Sequence, residues 1–183
     1  MIFNDRDKFF SLARLNPFAG KMTQQQVDGC NAILDEWEGR PAFTDKRWLA
    51  YMLATAKWET AHTMHPVEEI GRGQGRDYGS PDPETGQTYY GRGYVQLTWK
   101  TNYQKMAALT GADLVHKPEL ALDPKIAALI MFEGMKGGLF TGVGLPRYFG
   151  TADDPVNARR IINGLDHAQD IARIHAAFLE ALA

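Results

Sequence analysis

The sequence has 183 residues, a formal net charge of -2, a hydrophobic fraction of 44% and a charged fraction of 23%. These values are typical of a globular protein with one sizeable core, so we expect a single domain over residues 1–183 and a monomer. They argue against a disordered chain and against a polyanion-binding surface, so nucleic acid is not an expected partner.

The predicted elements of the first half are helices. Two short amphipathic helices are expected within the first forty residues, and Thr23 with Gln26 forms a candidate capping box for the second. Apolar residues at helical spacing then predict a helix over about 48–64. Glu59 lies on the apolar stripe of that helix.

The segment 65–96 differs because glycine and proline replace the apolar periodicity. It predicts a loop-rich insert with a small hairpin. Helical patterns return at 103–110, 124–135, 156–162 and 168–182. We expect Gly111 to cap the C-terminal end of the first and Asp123 to cap the N-terminal end of the second. The predicted fold is therefore mainly α, one domain with an irregular insert.

The N-terminal residues lack the basic start and apolar stretch of a secretory signal, and no stretch of about 18 apolar residues follows. We therefore expect synthesis in the cytoplasm and no membrane insertion. The single cysteine, Cys30, excludes an intrachain disulfide.

Glu59 is the first candidate for catalysis. Burial of a carboxylate on the apolar face of a helix favours the protonated form, which is the state that a general acid needs. The alternative is a helix-end glutamate that turns to solvent or pairs with Lys57.

A glycosidase needs a second carboxylate, which activates water or attacks the sugar. Glu68 and Glu69 follow Glu59 by nine and ten residues and lie just after Pro66, where the chain can turn back. The alternative for each is a glutamate of a solvated acidic loop.

An aromatic segment supplies the candidate binding residues. Aromatic rings stack on sugars, and amides and hydroxyls bond their polar groups. The segment contains Tyr89, Tyr90, Arg92, Gln96, Thr98, Trp99 and Asn102. By composition alone, it is equally compatible with an aromatic-rich structural hairpin.

The sequence from Tyr89 to Thr98 resembles the signature of family 19 glycoside hydrolases, which include plant-type chitinases and many phage or prophage endolysins. The segment 58–62, Trp-Glu-Thr-Ala-His, resembles the family's acid-bearing helix end. The segment 158–164 resembles a third element whose asparagine, here Asn163, contacts substrate.

This resemblance implies a lysozyme-like, two-lobed helical fold and an inverting mechanism. It implies Glu59 as the general acid, Glu68 or, with a one-residue shift, Glu69 as the second carboxylate, and Thr98 as a residue that holds the attacking water. One of Arg159 and Arg160 is expected to bond a catalytic carboxylate, the alternative being a helix surface. Plant members carry disulfides that this chain cannot form, which favours the bacterial and phage branch.

Other motifs add no cofactor. Glu59 and His62 have the i, i+3 spacing of some metal sites, but no second pair occurs, so no metal is predicted. The glycine-rich segment 71–75 superficially resembles a phosphate loop, but no strand precedes it, and we interpret it as a flexible wall of the cleft.

The leading hypothesis is an endolysin-type muramidase that hydrolyses the β-1,4 bonds of peptidoglycan. It would reach the cell wall after a separate holin-type pore, implied by the family only, opens the membrane. The alternatives are a chitinase, a lytic transglycosylase and a cell-wall-binding module without catalysis.

Overall fold

The computed structural model describes residues 5–183. With 53% of residues in helices, the prediction of a mainly α protein is confirmed. The α-helices of the described part are α1 (Arg6–Leu15), α2 (Gln24–Glu38), α3 (Lys46–Glu59), α4 (Lys100–Thr110), α5 (Pro124–Gly137), α6 (Leu145–Tyr148) and α7 (Ala168–Ala181). Over residues 5–183, no helix combines the length and apolar character needed to cross a membrane.

Helix α3 lies at the centre of the core. All nine residues from Leu49 to Lys57 are buried, as is typical of a helix covered on every side. Helix α3 packs most extensively on α7. Helix α7 also packs on α1, and the rings of Phe9 in α1 and Phe178 in α7 stack with centroids 6.2 Å apart. The core thus holds the C-terminal end of α3, and with it Glu59, in a fixed position.

Three predicted helix ends are confirmed by their caps. Thr23 and Gln26 form the capping box of α2. Asp123 accepts hydrogen bonds from two backbone N–H groups at the start of α5. Gly111 ends α4 in the left-handed conformation, which a glycine adopts without steric cost.

Two predicted helices are wrong in extent or type. Helix α3 ends at Glu59 rather than near residue 64, because Ala61 and His62 adopt positive φ angles of 49° and 68°. The buried Thr60 hydroxyl bonds the Ala56 carbonyl at 2.7 Å and the Met64 amide at 3.0 Å, which pins the following loop against the helix. The segment predicted as a helix at 156–162 is a 3-10 helix, Asn157–Ile161.

The insert contains a minimal sheet. Strand β1 (Val67–Glu68) pairs antiparallel with strand β2 (Arg92–Gly93), with Glu68 opposite Arg92. The expected loop-rich insert with a small two-stranded element is thus confirmed, and its strands lie at the two ends of the insert. This pairing brings Glu68 and the aromatic segment together.

Candidate active site

Glu59 occupies the last position of α3, with a side chain that is only 16% exposed. The guanidinium of Arg159, 100 residues further along the chain, donates a hydrogen bond to Glu59 Oε1. Arg159 is itself 3% exposed, and its Nε donates to the Asp166 carbonyl at 3.1 Å. The expectation that an arginine of the third motif bonds this carboxylate is confirmed, and Asp166 is a supporting residue that the sequence did not reveal.

Lys57 does not pair with Glu59. Its Nζ donates to His62 Nδ1 at 2.8 Å and lies 5.1 Å from the centroid of the Phe18 ring. Burial lowers the pKa of Lys57. The alternative of a Lys57–Glu59 pair is therefore excluded, and the cationic partner of Glu59 is Arg159.

Glu68 lies in β1 and is held by two groups. The Tyr90 hydroxyl donates to its Oε1 at 2.7 Å, and the Arg72 guanidinium lies 2.7 Å from its Oε2. The hydrogen bond from Tyr90, followed by the charge of Arg72, lowers the pKa of Glu68. Arg72 is 68% exposed, so water screens its contribution. Glu68 is thus kept ionised, the state that a general base needs.

Glu69 has a different set of partners. Its Oε1 accepts from the Tyr78 hydroxyl at 2.9 Å, and its Oε2 accepts from the Gly91 amide at 3.0 Å. Glu69 follows the last residue of β1, and none of its side-chain partners is shared with Glu68. The bonds of Glu69 tie the insert to the aromatic segment, which is a structural role.

The first half of the aromatic segment is buried. The Tyr89 hydroxyl bonds the Val115 carbonyl at 2.8 Å. The guanidinium carbon of Arg92 lies 3.6 Å from the centroid of the Tyr90 ring, and Arg92 also donates to the Tyr103 hydroxyl at 3.1 Å. In these positions, Tyr89, Tyr90 and Arg92 hold the segment in place, and direct contact with a sugar stays a prediction for them.

The second half of the segment is more accessible. Gln96 Nε2 donates to the Val67 carbonyl at 3.1 Å and so joins the segment to β1. The Thr98 hydroxyl donates to the Gln96 carbonyl at 2.8 Å, which leaves its oxygen free to accept a hydrogen bond from water. Asn102 Nδ2 donates to the Thr98 carbonyl at 2.9 Å, at the start of α4. The predicted roles of these three side chains in binding remain predictions.

Trp99 is the exposed aromatic residue of the segment, at 49%. Its ring lies edge-on to Tyr78, with centroids 5.1 Å apart. Tyr78 was not among the predicted site residues. The one feature of the sequence that could have indicated it is an aromatic residue within an otherwise polar, glycine-rich loop.

Asn163 lies four residues after Arg159, and its backbone N–H donates to the Arg159 carbonyl at 3.0 Å. Its side chain is exposed, and Oδ1 accepts from the Gly164 amide at 2.9 Å. The turn that places Arg159 on Glu59 therefore also presents Asn163 to solvent, as a substrate-contacting residue requires. Within residues 5–183, no group of three or more His, Cys, Asp or Glu side chains could hold a metal ion.

Comparisons with known proteins agree with this arrangement. Residues 68–134 match the family model of chitinase class I, glycoside hydrolase family 19. An endochitinase of Arabidopsis thaliana is 35% identical over 116 residues, which cover 61% of this chain and 38% of that protein. An inactive chitinase-like protein of Hevea brasiliensis is 30% identical over 129 residues, covering 68% of this chain and 35% of that protein. The chain thus spans little more than a third of the length of these curated relatives.

Solved structures show the same fold. Chitinase C from Streptomyces griseus HUT6037 superposes with a TM-score of 0.65 at 20% identity, over 99% of this chain and 77% of that chain. A bacterial family 19 chitinase superposes with a TM-score of 0.65 at 20% identity, over 100% of this chain and 96% of that chain. The predicted mainly helical, lysozyme-like fold is confirmed. The family model and the curated relatives thus show that the chain is similar to glycoside hydrolase family 19.

Proposed function

We propose, from its similarity to glycoside hydrolase family 19, that this chain hydrolyses β-1,4 bonds in a polymer of N-acetylated amino sugars, and that the polymer is peptidoglycan. The main supporting observation is the contact between Glu59 and Arg159, which brings the first and third sequence motifs together although 100 residues separate them. A glutamate that is 16% exposed, paired with an arginine that is 3% exposed, is an arrangement that catalytic sites use.

In the proposed mechanism, Glu59 protonates the glycosidic oxygen of the leaving sugar. Glu68 removes a proton from the water that attacks the opposite face of the sugar, and Thr98 helps to hold that water. The lowered pKa of Glu68 supports this role, because a base must be ionised to accept the proton.

Arg159 has a defined part in this scheme. Its guanidinium donates a hydrogen bond to Glu59 Oε1, in a place where the Arg159 side chain is only 3% exposed. When Glu59 gives up its proton, Arg159 stabilises the carboxylate that forms. Because Arg159 is itself buried and bonded to Asp166, it is already oriented before the reaction.

Two features support peptidoglycan as the substrate. Cys30 is the one cysteine, so the chain lacks the disulfides of plant chitinases and resembles the bacterial and phage branch instead. The loop beside the carboxylates also exposes Arg76 and Asp77, charged groups for which a neutral polymer such as chitin has no complement. On this basis, we infer an endolysin that acts on the cell wall after a holin-type pore opens the membrane.

Chitin is the second candidate substrate, because the Arabidopsis thaliana relative is named an endochitinase. A binding module without catalysis is the third candidate, because the Hevea brasiliensis relative is named an inactive chitinase-like protein.

One experiment separates these candidates. Purified peptidoglycan and chitin oligomers are incubated with equal amounts of protein, reducing ends are counted, and released fragments are weighed by mass spectrometry. We expect faster release from peptidoglycan, with products that have gained one water. Activity on chitin alone contradicts the muramidase assignment, and fragments lighter by one water indicate a lytic transglycosylase. Binding without any reducing ends identifies a binding module.

A further inference from the structure

A shallow cavity of about 340 Å³ lies at the surface of the insert. It is lined by Gly75, Arg76, Asp77, Tyr78 and Trp99. The Tyr78 hydroxyl donates to Glu69 Oε1 at 2.9 Å, so the wall of the cavity is bonded directly to the residue that follows Glu68.

The aromatic wall of this cavity is prearranged. The backbone of Tyr89 links the two aromatic residues of the cavity, Tyr78 and Trp99. The Tyr89 amide donates to the Tyr78 carbonyl at 3.0 Å, and the Trp99 amide donates to the Tyr89 carbonyl at 2.9 Å. Trp99 adopts φ 76°, a conformation that costs a non-glycine residue about 1–3 kcal/mol. The fold therefore accepts both backbone strain and an exposed indole at this position, a combination that is typical of a binding surface.

Close backbone packing fixes the loop that carries the two charged residues. A Cβ on Gly79 would lie 2.0 Å from the Gly73 carbonyl oxygen, and a Cβ on Gly73 would lie 2.9 Å from the Tyr78 ring. Only glycine fits at these two positions. The loop consequently turns with Arg76 and Asp77 at its exposed end.

The two charges of the cavity have no internal partners. Within the part of the chain that the structure describes, neither Arg76 nor Asp77 forms an ion pair or a side-chain hydrogen bond. Arg72, four residues earlier in the same loop, is paired with Glu68. An arginine and an aspartate left unpaired beside an exposed indole form a surface that can bind a ligand with both a sugar ring and opposite charges.

We propose that this cavity binds the stem peptide of peptidoglycan together with the sugar that carries it, an inference that rests on the proposed function. The sugar ring stacks on Trp99, a peptide carboxylate pairs with Arg76, and the ammonium of a diamino acid in the stem pairs with Asp77. Chitin has an equivalent sugar but neither charge. Arg76 and Asp77 are therefore specificity-determining residues, and Trp99 binds the part that both polymers share.

The test compares peptidoglycan strands that carry their stem peptides with strands from which an amidase has removed them. For Arg76→Gln, we expect kcat/KM on intact strands to fall about tenfold, mostly through KM, because the lost contact binds a part of the substrate remote from the reacting bond. On stripped strands, we expect a change below about twofold, since the peptide carboxylate that Arg76 binds is gone. The carboxylate that amide hydrolysis leaves belongs to the lactyl group on the sugar ring and not to the peptide. Arg14→Gln, which makes the same charge change on exposed α1, is the matched control and is expected to change neither rate.

Trp99→Ala provides an independent result, because the sugar is present in both strand preparations. We expect it to lower kcat/KM on both by similar factors. An equal loss for Arg76→Gln on intact and stripped strands, or no loss on intact strands, overturns the assignment of this cavity while leaving the proposed function in place. Failure of the natural protein to cleave either preparation overturns the proposed function, and the inference with it.

Discussion

The two candidate catalytic carboxylates are held in different ways. Glu59 lies at the end of a buried helix and is paired with Arg159, a residue that is distant in sequence and almost inaccessible to solvent. Glu68 lies in a two-residue strand and is held by Tyr90 and by the largely exposed Arg72. The first site is built into the core, whereas the second is built on a surface ribbon.

This difference matches the two chemical tasks. An acid that must lose its proton during the reaction benefits from a fixed cation that stabilises the resulting carboxylate. A base that must be ionised from the start needs only a hydrogen bond and a nearby charge, both of which Glu68 has. We therefore expect damage to the first site to affect folding as well as activity, and damage to the second to affect mainly activity.

The largest effect expected within this comparison is on kcat, and it decides whether Glu68 or Glu69 is the base. We expect Glu68→Gln to lower kcat by about a hundredfold or more, since a general base contributes factors of that size. Glu69→Gln should cost much less, because that side chain bonds Tyr78 and the Gly91 amide within the protein. Release of reducing ends measures both, with thermal unfolding as the check that each variant is folded. The opposite ranking assigns the base to Glu69.

The next effect is on stability. Arg159→Gln removes a guanidinium that is 3% exposed and that bonds both Glu59 and the Asp166 carbonyl, and we expect the free energy of unfolding to fall by about 3 kcal/mol. In a Glu59→Gln background, the same substitution should cost at least about 1 kcal/mol less, because the bond between the two side chains is already altered. Urea unfolding of the four proteins gives both values.

The matched control for this stability effect is Arg160→Gln, which changes the exposed neighbour of Arg159. A change within about 0.5 kcal/mol is expected there. Equal losses for Arg159→Gln and Arg160→Gln would show that the pair with Glu59 does not stabilise the fold.

The smallest expected effect is a displacement of the pH profile. The Tyr90 hydroxyl lowers the pKa of Glu68, so Tyr90→Phe raises that pKa. Because the base must be ionised, activity is lost as the pH falls through its pKa, and the acidic limb of kcat/KM should move to higher pH. Tyr78→Phe, which removes the corresponding hydroxyl from Glu69, should leave the position of that limb unchanged. If the acidic limb moves in Tyr78→Phe and not in Tyr90→Phe, Glu68 is not the base.

The parts of the fold that depend on local chemistry were predictable. Thr23 with Gln26, Gly111 and Asp123 cap helices through contacts with their own neighbours in sequence. The end of α3 was not predictable, because alanine and histidine at 61 and 62 do not signal the positive φ angles that they adopt. The residues that pair across the insert were not predictable either, since strands of two residues leave no periodicity to detect.

For the site, the sequence located the motifs but not their contacts. The alternative partner Lys57 is close to Glu59 in sequence, whereas the actual partner Arg159 is brought there by tertiary packing. The aromatic segment was recognisable, but the burial of Tyr89 beside the exposure of Trp99 depends on which side of the segment faces the core. Nothing in the sequence marked Tyr78 as the link between Trp99 and Glu69.

The turbidity of outer-membrane-permeabilised Gram-negative cells tests whether Glu59 is the acid of a cell-wall hydrolase. The natural protein is compared with Glu59→Gln and with Glu180→Gln, the same change at an exposed position of α7, all at equal folded concentration. We expect rapid clearing by the natural protein and by Glu180→Gln, and a rate lowered by about a thousandfold for Glu59→Gln. Clearing by Glu59→Gln at the natural rate, or no clearing by the natural protein, would contradict the claim.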